Sequence, residues 1–137
     1  MYKILLAVDG SEHSLKTIHE VVQLVANLKA EITVLTVAEV PIVTYIDFVK
    51  LERVRIEKRA KEILEEAKKI LIENGMIVKT LLKEGHPADI ICKTVEENGY
   101  NLIALGSRGL GKIEELLLGS VSSRVAHCSK VSVLIIK

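Results

Sequence analysis

Aromatic residues are almost missing from this chain: three tyrosines, one phenylalanine and no tryptophan among 137 residues. Proteins that hold single-stranded nucleic acid stack its bases on aromatic rings, so composition argues against that class of ligand. Charge of one sign is missing as well. Nineteen Lys and Arg stand against eighteen Asp and Glu, a formal net charge of +1, and no general field draws the protein to nucleic acid or to an anionic membrane. Any anion must therefore be held by local geometry. Cysteine is limited to Cys92 and Cys128, which form no CxxC pair; the expectation is two packed thiols in a reducing compartment rather than a redox or metal pair. No apolar run approaches the length of a membrane span. The opening run Met1-Tyr-Lys-Ile-Leu-Leu-Ala-Val8 has neither the length nor the cleavage pattern of a signal peptide, so a cytoplasmic protein is expected.

What is present is aliphatic. Hydrophobic residues make up 49% of the chain, so Ile, Leu and Val must build the core of what reads as a single domain over residues 1–137. Apolar runs near 2–8, 31–37, 77–83, 101–105 and 131–136 alternate with segments of helical periodicity. That alternation predicts an α/β fold, a parallel sheet with helices on both faces. Ser11 is placed to cap a first helix whose buried stripe is Leu15, Ile18, Val21, Val22, Val25 and Leu28. A second helix, about 48–73, carries Leu51, Val54, Ala60, Ile63, Leu64, Ala67, Ile70 and Leu71 inward and an outward ladder of Arg53, Glu57, Lys61, Glu65 and Lys68, closing at Asn74-Gly75. A third begins at His86-Pro87 and closes at Asn98-Gly99; a fourth runs from Gly119-Ser120 to His127. The connection at residues 38–47 is longer than a usual βα loop and reads as a lid or variable insertion.

The glycine-rich stretch Gly106-Ser-Arg108-Gly109-Leu-Gly111-Lys112, followed by Gly119-Ser120-Val121-Ser122, frees backbone amides twice over a short distance. Glycine permits positive φ and close approach to a ligand, and a helix start presents unpaired N–H groups. This is phosphate-binding chemistry. A P-loop is excluded because Ile113 stands where Ser or Thr must ligate Mg²⁺, and a dinucleotide fingerprint because Glu114 takes the third glycine's place. A flavin site lacks aromatic residues near these loops apart from Tyr45 and Phe48. Ligands in open α/β sheets bind at strand carboxyl ends where the order reverses. The two polar exits, Asp9-Gly10-Ser11 and Gly106 to Gly109, then put strands one and four side by side, in the order 3-2-1-4-5. Asp9 has the alternative of a simple Asx turn, and Ser120 and Ser122 that of helix capping. Arg108 and Lys112 are the loop's cations. His13, His19, His86 and His127 fall on separate elements and make no metal set.

The spacing G-x2-G-x9-G-S, met by Gly106, Gly109, Gly119 and Ser120, together with Asp9 after the first strand, resembles the nucleotide-binding branch of the universal stress protein family over essentially the whole chain. The resemblance implies ATP, with or without Mg²⁺, bound by a homodimer that acts in stress response. Asp9 and the backbone of Val37 would then contact the adenosine half, and Gly106 and Gly109 the ribose and phosphate approach. By the same likeness Gly119, Ser120, Val121 and Ser122 would hold the phosphates, while the loop's own cations, Arg108 or Lys112, are placed to neutralise phosphate charge or to stand solvated. The chain departs from the family's pattern at Glu114 and Glu115, and at Cys128-Ser129-Lys130, which replaces a proline-rich turn. The apolar last strand, Val131 to Ile136, reads as an edge that pairs with its own copy. No HxGH or SGGxDS signature and no convincing general base is present, so a regulatory module is expected. The alternatives are a slow Mg²⁺-dependent ATPase or nucleotidyl-transfer enzyme of the same fold, and an interaction module without nucleotide.

Overall fold

The computed structural model describes residues 1–40, 46–109 and 118–137. Elements alternate in the order β1 (Tyr2–Ala7), α1 (Glu12–Val25), β2 (Ala30–Ala38), α2 (Ile46–Glu73), β3 (Ile77–Glu84), α3 (Pro87–Asn98), β4 (Leu102–Gly106), α4 (Ser120–Cys128) and β5 (Ser132–Ile136). All strands are parallel, in the order β3-β2-β1-β4-β5. The expected fold and strand order are those observed.

The sheet alternates its side chains between two cores, as the period of two requires. Ile4, Leu6, Ile32 and Val34 pack under α1 and α2, against Ile18, Val21, Leu64 and Leu71. Leu5, Leu35 and Ile103 face α3 and α4, against Ile91, Val95 and Val125. Local chemistry sets the element ends. Ser11 caps α1 by accepting from the Ser14 amide at 3.2 Å, and Pro87 opens α3, where its missing N–H is not needed. Gly75, at φ +77°, closes α2 in a Schellman motif: its own N–H donates to Ile72 O and the Met76 N–H to Leu71 O.

Two parts of the expected buried stripes are corrected. Leu28 lies beyond the end of α1 and is exposed. Leu51 and Val54 are each 64% exposed rather than inward, because α2, at 28 residues, is about 42 Å long and exceeds the sheet it covers. From Ala60 onward it packs on the core. Its first half stands beyond the carboxyl ends of the strands, where Arg53 is tied to Glu84 at the end of β3 by a 2.6 Å ion pair.

The cysteines are also corrected. Cys92 and Cys128 are not two thiols but a disulfide. α3 and α4 lie together on one face of the sheet, which brings residues 36 apart in sequence to a Cα separation of 6.1 Å, within the range a disulfide spans. The Arg124–Asp89 pair, at 3.0 Å, joins the same two helices.

Candidate functional site

At the carboxyl ends of β1 and β4 lies a cavity of about 750 Å³, in the size range of small-molecule sites. Every site residue expected from the sequence borders it: Asp9, Val37, Gly106, Arg108, Gly109, Gly119, Ser120, Val121 and Ser122. Lys112, Glu114, Glu115 and the irregular segment around Tyr45 lie outside the described residues.

Asp9 leaves β1 in an Asx turn. Its Oδ1 accepts from the Ser11 amide at 2.9 Å and from the Ser14 hydroxyl at 2.7 Å, while its own amide donates to Ser14 Oγ at 2.9 Å. The turn and a ligand role are therefore compatible, because the second oxygen, Oδ2, has no hydrogen-bond donor among the described residues. Gly109 lies directly against it: a Cβ there would stand 2.5 Å from Oδ2.

Val37 contributes backbone. The Leu35 carbonyl accepts from the Val8 amide, so by the period of two the N–H and C=O of Val37 point to the same side of β2. Among the described residues no strand meets them, since β1 ends at Ala7 and the Val8 carbonyl accepts instead from the Thr36 hydroxyl at 3.1 Å. One donor and one acceptor thus open toward the cavity, the pattern that reads a heterocyclic base edge.

The opposite end is the start of α4. The amides of Ser120, Val121 and Ser122 occupy the first turn, where no helical carbonyl reaches them, and the dipole adds partial positive charge. The first closed helical bond runs from the Ser123 amide to Gly119 O at 3.0 Å. The Ser107 carbonyl fixes this turn, accepting from the Gly119 amide at 2.5 Å and from Ser122 Oγ at 3.0 Å. Ser122 is buried, and its hydroxyl is held by Ser107 O and Gly119 O, which leaves its amide, not its side chain, for a ligand. Ser120 is exposed at the cavity.

The glycines act by close approach and not by positive φ, contrary to one expectation. Gly106, Gly109 and Gly119 all have ordinary φ. A Cβ at Gly119 would lie 3.1 Å from Ser107 O, and one at Gly106 3.2 Å from both Arg108 O and Thr17 Oγ1. Each therefore lets two chain segments meet behind the site.

Sequence reasoning missed the wall formed by Arg55, Ile56 and Arg59 of α2. The arginines fell between the stripe and the ladder assigned to that helix; their spacing of four was the available signal. Among the described residues no histidine or lysine lines the cavity, no cluster of three metal-ligating side chains occurs, and no helix is long and apolar enough to cross a membrane.

A parallel α/β sheet with its cavity at the β1/β4 switch point, edged by Gly106, Gly109 and a helix start, defines a Rossmann-like fold with a small-molecule site. The universal stress protein family model matches residues 1–137, and the chain belongs to that family. It is 35% identical to universal stress protein YxiE of Bacillus subtilis, covering 98% of each chain. Among solved structures, that of MJ0577 from Methanocaldococcus jannaschii superimposes with a TM-score of 0.91 at 30% identity, covering 98% of this chain and 94% of the other. A universal stress protein in complex with cAMP superimposes with a TM-score of 0.76 at 28% identity, covering 99% and 97%.

Proposed function

We propose that this protein is a nucleotide-dependent regulatory protein that binds ATP and hydrolyses it little. The single observation that carries the reading is the convergence in one cavity of three first-turn amides of α4 with the backbone of Val37 and the second oxygen of Asp9, neither of which has a hydrogen-bond partner among the described residues. The amides suit phosphate, Val37 suits the adenine edge, and Asp9 Oδ2 suits a ribose hydroxyl. The cAMP complex of a relative supports a nucleotide as the ligand class. A Mg²⁺ ion would enter with the triphosphate.

Little turnover is expected because phosphoryl transfer to water needs a group placed to activate the attacking water. Of the described acidic groups at the cavity, Glu39 is exposed and Asp9 has one oxygen committed to its turn. Binding changes the stability and surface of a homodimer joined through β5, and the bound state is what a partner reads. Mass spectrometry of small molecules released from freshly purified, denatured protein tests the reading. An adenine nucleotide is expected; a protein that carries none and binds none when titrated would overturn it.

A further inference from the structure

Arg55 and Arg59 stand one turn apart on one face of α2 and both line the cavity. Their neighbour Arg53 is already held by Glu84. The partners of Arg55 and Arg59 are Glu52 and Glu62 on their own helix, each at 3.6 Å, beyond hydrogen-bond range. Exposed pairs of this kind contribute little, so neither guanidinium is held away from a better acceptor. Arg59 also reaches the β1 exit, since a Cβ at Gly10 would lie 3.1 Å from its Nη2.

α2 packs on the α1 face of the sheet and α4 on the α3 face. The cavity therefore has positive groups on opposite sides of the sheet's carboxyl edge: the first turn of α4, with Arg108 in the segment beside Gly119, and the guanidinium pair of α2. A ligand with one anionic group satisfies one of them. Resting on the nucleotide reading above, which sets the adenosine half by Asp9 and Val37, we infer that Arg55 and Arg59 bind a second phosphate carried on the ribose. The site then selects adenosine nucleotides phosphorylated at the 2′ or 3′ position as well as at 5′. Two guanidinium forks match the oxygens of one phosphate, which a single lysine cannot do.

The test is competition calorimetry with AMP, ATP and adenosine 2′,5′- and 3′,5′-bisphosphate on the intact protein, on Arg55→Ala/Arg59→Ala and on Arg55→Glu/Arg59→Glu. One bisphosphate isomer is expected to bind at least about tenfold more tightly than AMP, as a charge-assisted contact implies. That ratio should fall to near one in the alanine variant and below one in the glutamate variant. A bisphosphate preference that is absent, or that survives both variants, overturns the inference. So does an equal loss for all ligands, the mark of arginines stacked on the base, or a loss confined to ATP, the mark of arginines on the triphosphate tail. Binding of AMP without any preference overturns this inference alone; binding of no adenine nucleotide overturns the proposed function with it.

Discussion

Asp9 Oδ2 and the Cα of Gly109 are in such close contact that a methyl group at position 109 would stand 2.5 Å from the carboxylate oxygen. This contact joins the two strand exits that frame the site. Gly109→Ala must push Asp9 away or move the loop, and overpacking of this kind costs about 1–3 kcal/mol. Chemical denaturation should show that loss, and an Asp9→Ala background should remove most of it. Equal losses in the two backgrounds would mean that the two residues do not press on one another.

Ser120 and Ser122 should separate binding from stability. Ser120 is exposed at the cavity, so Ser120→Ala should leave stability within about 0.5 kcal/mol and weaken ATP binding by about 1.5–3 kcal/mol, the range for a hydrogen bond to a charged group. Ser122 is buried and donates to backbone, so Ser122→Ala should lower stability by about 1 kcal/mol. Melting and titration of both variants check the split; the opposite pattern would exchange their roles.

The disulfide closes a loop between residues 36 apart, and closure of such a loop stabilises a domain by about 2–4 kcal/mol. Reduction, or Cys92→Ser/Cys128→Ser, should lower the melting temperature accordingly. Thiol titration of the unreduced, denatured protein should find no free thiol. Two free thiols would return the pair to the reading drawn from its isolation in the sequence.

For the proposed dimer, the informative variant is a proline and not a lysine. Val133 and Leu134 are both half-buried against the two cores, so lysine at either would damage the fold along with the edge. The Ile136 carbonyl accepts from the Ser107 amide, so by the period of two Ser132 and Leu134 also face β4, while Val133 and Ile135 turn their N–H groups outward. Val133→Pro removes an outward donor without touching the β4 ladder. Sedimentation should show a monomer, and an undiminished dimer would move the interface off β5.

The strand order was legible because two polar exits, at Asp9 and Gly106, interrupt otherwise aliphatic strands and so mark the switch point. Helix ends were legible where a residue acts locally, as Ser11, Pro87, Gly75 and Gly99 do. Features that depend on how elements stack were not. The sequence does not say that α2 overshoots the sheet, and so Leu51 and Val54 read as core and Arg55 and Arg59 passed unnoticed. Nor does it say that α3 and α4 share a face, which is what joins Cys92 to Cys128. The glycines were read at the right places for an incomplete reason: among the described residues the positive φ falls at Gly10, Gly75, Gly85 and Gly99, while Gly106, Gly109 and Gly119 are needed for contact.

In the proposed function one cavity binds ATP by its phosphates at α4 and its adenosine at β1 and β2. Calorimetric titration of ligand-free protein with ATP, run beside Ser120→Ala, tests it most directly. The account predicts saturable binding of one nucleotide per chain, with the variant weaker by about 10- to 150-fold. Absence of saturable binding, or equal affinity in the two proteins, would contradict it.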